Sequence, residues 1–218
     1  MKARWPDRMS GFNLLECMVV AVVLSVLMGI YLSQAMRPRR HGHGPNCTNN
    51  LKQIGLAFRQ WALDNNDKNP QQVSVTNGGT MELVGGGNVF PHFLVMSNEL
   101  NTPMVLACPE DRTRKMTRLF TTNFSDANIS YFVGIDAVDT MPQMFLAGDC
   151  NFKISGKSVP SGIVKLGTNS SVGWTKRRHK GPEGSVALAD GSVQRFSSAK
   201  LREALANTGD MTNRLTIP

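Results

Sequence analysis

From Cys17 to Leu32 the chain reads CMVVAVVLSVLMGIYL without one charged side chain, and with Glu16 as its boundary the uncharged stretch runs on to Met36. At about 1.5 Å of rise per residue, the roughly 20 residues from Phe12 onward make a helix of about 30 Å, the thickness of a hydrocarbon core. The valines do not count against a helix, because a segment in lipid must satisfy its own backbone hydrogen bonds. A buried core helix would carry polar residues along one face, and Val19 to Leu32 has almost none. A cleaved secretory signal would have a shorter apolar run closed by a small-x-small site, and Ser33-Gln34-Ala35 matches that poorly. The pattern predicts a retained transmembrane helix over 12–36.

Beyond it, 37–45 holds two prolines and two glycines among arginines and histidines, which predicts a linker and a break in the helix. The period then changes to 3.6: Leu51, Ile54, Phe58, Trp61 and Ala62 share one face, so 46–64 reads as an amphipathic helix whose apolar stripe packs on a sheet. Short β-rich pieces follow at 72–75, 104–108, 129–133 and 144–147, punctuated by Gly, Pro, Asn and Asp. The clearest hairpin signal is Ser185 to Ala189 and Ser192 to Phe196 about Asp190-Gly191, a pair that readily takes the positive φ angles of a tight turn. A last helix is expected over 199–206, capped by Ser197 or Ser198 and ended by Asn207-Thr208-Gly209. The predicted class is α+β: a transmembrane helix, then an amphipathic helix on a small antiparallel sheet, with a head over 46–218.

Composition narrows the function only modestly. In 218 residues there are 24 Lys+Arg against 16 Asp+Glu, and charged residues make up 18%, which excludes a coiled coil or a strongly disordered chain. The positive-inside rule does not set orientation, since Lys2, Arg4 and Arg8 before the apolar run are matched by Arg37, Arg39 and Arg40 after it.

The boundary Met9-Ser10-Gly11-Phe12-Asn13-Leu14-Leu15-Glu16 resembles the class III signal of type IV prepilins and type II secretion pseudopilins: a short basic leader ending in Gly, then Phe, then Glu four residues later. The resemblance implies that 1–11 is a leader cut by an inner-membrane prepilin peptidase between Gly11 and Phe12, and that Phe12 is then N-methylated. It further implies a pilin-like head in the periplasm, the N-terminus on the cytoplasmic side, and assembly with other pilin or pseudopilin subunits through the helix. In such filaments the new amine of Phe12 pairs with the glutamate of a neighbour, the role implied for Glu16. A second resemblance, to prepilin-type proteins with a His-X9-Asp-Gly motif, rests on His179 and Asp190-Gly191, here with ten intervening residues. It also rests on Cys47 to Ala57 and on Leu106-Ala107-Cys108-Pro109-Glu110-Asp111. Asn13 stands where Thr is common in the first family.

Candidate chemistry is sparse, and no enzyme is expected. His179 sits among Lys176, Arg177, Arg178 and Lys180 without a legible nucleophile or partner carboxylate, and Asp190 and Gly191 need only form a turn. If the head is periplasmic, one disulfide can form among Cys47, Cys108 and Cys150, and all three pairings are open. His41 and His43 lack further ligands, and the Asp64 to Pro70 loop lacks the Gly and terminal Glu of an EF-hand, so neither a metal nor calcium is expected and no cofactor is implied. Ten Lys+Arg against two acids between Lys153 and Arg202 make a basic stretch that could meet DNA, with Trp174 as a stacking group, yet no nucleic-acid motif accompanies it. The expectation is a structural subunit of a secretion-type or pilus-type filament. The competing reading is a membrane-tethered periplasmic module that binds DNA or envelope glycans and does not polymerise.

Overall fold

The computed structural model describes residues 13–35, 43–121, 123–176, 178 and 181–218, in two units, 1–41 and 42–218. Gly11, Phe12, His179 and most of the expected linker lie outside the described residues.

The first unit contains helix α1, Leu14–Ala35. Its stretch Leu14–Leu32 is, among the described residues, the one helix long and apolar enough to cross a membrane. Its large apolar side chains are exposed all round, from Leu14 to Leu32. The helix handles its few polar groups locally. The Asn13 N–H donates to Glu16 Oε2 at 3.3 Å, half of a capping box, and Ser25 Oγ donates to the Val22 carbonyl at 2.8 Å.

In the second unit, helix α2 spans His43–Leu63 and so begins inside the segment expected to be linker. Pro45 falls in its first turn, where no intrahelical N–H bond is lost and the fixed φ suits the helix. The predicted stripe holds: Leu51, Ile54, Phe58, Trp61 and Ala62 are all buried. They pack across three strands of a six-stranded antiparallel sheet, β2 (Phe145–Asp149), β7 (Glu183–Leu188) and β8 (Val193–Ser197). The other three are β1 (Tyr131–Gly134), β5 (Gly162–Gly167) and β9 (Thr212–Ile217), and the spatial order is β5-β9-β1-β2-β7-β8. A second sheet of three strands, in the order β4-β3-β6, is formed by β3 (Phe152–Ile154), β4 (Lys157–Ser158) and β6 (Val172–Trp174).

The large sheet is covered on both faces. Tyr131, Val133, Leu146 and Ala187 join α2, helix α3 (Phe90–Leu94) and helix α4 (Ser97–Leu100) in one core. Phe132, Phe145, Val186 and Leu188 point the other way, to a core with Phe152, Trp174 and the buried Leu201 and Leu205 of helix α5 (Ser198–Ala206). The period-two alternation of a strand feeds both cores, which is why β1 and β2 are buried at every position. The two sheets meet closely: a Cβ on Gly184 would lie 2.5 Å from the Trp174 ring.

Two predicted strands are 3-10 turns instead. Residues 72–75 run from the end of one turn, Pro70–Gln72, to the start of the next, Val75–Asn77, and 104–108 begin in Pro103–Leu106. In each case a proline sits just inside a polar cap. Gln72 Oε1 accepts from the Asn69 N–H at 2.8 Å, and Thr102 Oγ1 accepts from the Met104 N–H at 3.4 Å, so local capping outweighs β propensity. The hairpin forms where expected, with a different turn. Asp190 keeps a negative φ and Gly191 alone is left-handed at +82°. The Gly191 N–H donates to the Leu188 carbonyl and the Leu188 N–H to the Ser192 carbonyl, closing a three-residue loop with a bulge. Helix α5 is capped by Ser197, as predicted, through the Lys200 N–H.

Candidate functional site

The cysteines resolve into one bridge and two free thiols. Cys47 on α2 and Cys108 beyond the Pro103 turn are joined, with Cα atoms 5.3 Å apart, and both are buried. Cys17 is free on α1, and Cys150, just after β2, is free and partly buried. Of the three pairings open in the sequence, the fold selects the one that fastens α2 to the segment carrying Asp111.

Asp111 anchors a buried polar cluster that the sequence did not reveal. Its Oδ1 accepts from the N–H and Oγ1 of Thr113 at 3.1 and 2.6 Å, and its Oδ2 accepts from Ser130 Oγ at 2.9 Å and forms an ion pair with Arg178. Arg178 also donates to the Ser130 carbonyl at 2.7 Å and to Cys150 Sγ at 3.3 Å, and the Cys150 thiol donates to that same carbonyl at 3.1 Å. Burial pushes the Cys150 thiol up, and the neighbouring guanidinium only partly opposes it. Burial also works against the charge of Arg178, but Cys150 and Asp111 outweigh it, and its pKa rises. The result is a thiol whose ionisation burial disfavours, a poor nucleophile, beside a carboxylate whose hydrogen-bonding capacity is already taken. The cluster ties together four chain segments, those of Asp111, Ser130, Cys150 and Arg178. Above it opens a cleft of about 670 Å³, lined by Pro109, Arg112, Asn151, Ser158, Thr175 and Arg178 among others. Asp111 belonged to a motif already singled out, but its partner Arg178 read as one of four adjacent basic surface residues.

The remaining expected site residues scatter. Glu16 lies in the first turn of α1. Asp190 accepts from the Ser192 N–H at 2.8 Å through Oδ1, so it serves the turn. Asn69, in the loop considered for calcium, points inward and donates to the Ala137 carbonyl at 2.9 Å. Among the described residues no cluster of metal-ligating side chains occurs. Trp174 is buried in the second core, which removes it as a stacking surface for DNA, and the basic stretch is partly consumed: Arg178 is largely enclosed and paired with Asp111, Arg195 pairs with Glu183 at 2.8 Å, and Arg202 donates to the Val172 carbonyl.

Another buried titratable group lies on α3. His92 on α3 is fully enclosed, with Nδ1 2.7 Å from Thr80 Oγ1 and Nε2 unpartnered among the described residues, and burial lowers its pKa to about 4. Comparison of the chain with protein-family models, curated proteins and solved structures gives no match.

Proposed function

We propose that the chain is a structural subunit of the pseudopilin or minor-pilin kind, cut between Gly11 and Phe12, N-methylated on Phe12, and assembled with other subunits through α1. The head would stand on the periplasmic side of an inner membrane and the original N-terminus on the cytoplasmic side. One observation carries the reading: α1 is apolar on every face, its large side chains are uncovered, and its one carboxylate, Glu16, sits in the first turn. Such a helix is stable only in lipid or against like helices, where packing and polar pairing drive association. A carboxylate in a bilayer costs about 2.5 to 3.5 kcal/mol at mid-depth and less near the edge. The Asn13 N–H offsets part of that, and the amine exposed on a neighbour's Phe12 would supply the opposite charge. The Cys47–Cys108 bridge is consistent with a head outside the reducing cytosol.

Mass spectrometry of the membrane-extracted protein tests the proposal. The expected product begins at N-methylated Phe12. An intact Met1 terminus, or a start near residue 36, overturns it. The cleft above Asp111 favours one second reading, a tethered binding module that does not polymerise. Crosslinking separates the two, since Glu16→Ala abolishes crosslinked oligomers in the first and leaves the assembly state unchanged in the second.

A further inference from the structure

From Arg112 to Ser125 the sequence carries four cations and no acid. The two flanking carboxylates are engaged elsewhere. Asp111 is held by Thr113, Ser130 and Arg178, and Asp126 accepts from the N–H groups of Val89 and Phe90 at 3.0 and 2.7 Å. Arg114 is also committed, to the carbonyls of Asp126 and Pro218. Arg112, Lys115 and Arg118 are exposed, and among the described residues none of them has an ion pair.

Next to these cations in sequence stand Met116, 51% exposed, and Leu119, 67% exposed. The segment is held in place at both ends. The Lys115 N–H donates to the Ala127 carbonyl at 3.0 Å, and Asn128 Nδ2 donates to the Lys115 carbonyl at 2.7 Å. At the far end Phe120 packs edge-on against Phe124, with ring centroids 5.0 Å apart, and Phe124 in turn meets Phe90. A fastened loop that alternates outward cations with outward aliphatic side chains has the chemistry of a bilayer interface: charge for headgroup phosphates, Met and Leu for the acyl boundary. Single-stranded nucleic acid would call for an exposed aromatic to stack on, and Phe120 is turned to its neighbour.

We propose that residues 112–121 form a docking surface for an anionic lipid bilayer, contacted by Arg112, Lys115 and Arg118 and entered by Met116 and Leu119. This deepens the proposed function and rests on it in one respect: anchoring by α1 would bring the chain to a bilayer.

Hydrogen–deuterium exchange on the full chain in lipid nanodiscs tests it. Exchange of 112–121 is expected to slow in discs containing phosphatidylglycerol relative to phosphatidylcholine alone, and to recover in high salt. R112Q, K115Q and R118Q should each reduce the protection about fivefold, since a basic residue near an anionic surface contributes about 1 kcal/mol. L119S should reduce it further, while exchange in β7 reports that the variants stay folded. Equal exchange in the two lipids overturns the proposal, as does protection that appears only on adding DNA. Entry into the discs reads the anchor separately. A chain that stays outside them overturns the anchoring role of α1, and its binding to phosphatidylglycerol vesicles then decides the loop alone.

Discussion

Removing the bridge with the double substitution Cys47→Ala, Cys108→Ala should cost the head a large fraction of its stability. The two residues are 61 apart in sequence, and for a closed loop of that length the chain-entropy relation gives about 4 kcal/mol at 25 °C. Alanine is the right replacement because both positions are buried, and serine would leave an unpaired hydroxyl there. Against a typical total of about 5 to 15 kcal/mol, such a loss shifts the denaturation midpoint far outside error. The assay is urea unfolding of the detergent-solubilised chain, followed by tryptophan fluorescence, since Trp61 and Trp174 lie in the two cores. Cys150→Ala serves as the control for pairing and should leave the non-reducing gel mobility unchanged, with only the smaller midpoint loss expected from its hydrogen bonds to Arg178 and Ser130. If the double variant unfolds within about 1 kcal/mol of the parent, or if Cys150→Ala alters the mobility, the pairing or the entropic account is wrong.

Three further outcomes follow from the packing. Because the pKa of His92 is lowered from 6.5 to about 4, the unfolded chain takes up a proton before the folded one, so stability falls as the pH drops through that window, by about 3 kcal/mol in all. The His92→Gln variant should lose correspondingly less between pH 7 and pH 4 in the same urea assay. Arg178→Ala leaves Asp111 buried without its counter-charge and should cost about 3 to 5 kcal/mol, while Arg178→Met combined with Asp111→Asn should recover much of it in thermal melts. Gly184→Ala drives a methyl into the Trp174 ring and should cost about 1 to 3 kcal/mol, with a matching change in tryptophan emission.

The parts of the fold legible in the sequence are those in which neighbours along the chain settle the matter. The uncharged run fixes α1, the 3.6-residue stripe fixes the buried face of α2, and Asp190-Gly191 and Ser197 mark a turn and a cap. Even the errors were local: at 72–75 and 104–108 the hydrophobic pattern suggested strands, but a proline beside a polar cap prevailed.

Contacts between distant segments decided the rest. Strand β9, TNRLTI, is absent from the strands expected from the sequence, yet it lies between β1 and β5 because both strands offer it a ladder. Cys47 takes Cys108 and not Cys150 because α2 crosses the sheet beside the Pro103 turn, a closeness that 61 residues of intervening chain do not record. Arg178 is indistinguishable from its basic neighbours until the fold buries it against Asp111. Periodicity and turn chemistry act over a few residues and are written in composition. Pairing, charge burial and strand order depend on which surfaces meet, and that is determined only when the whole chain has packed.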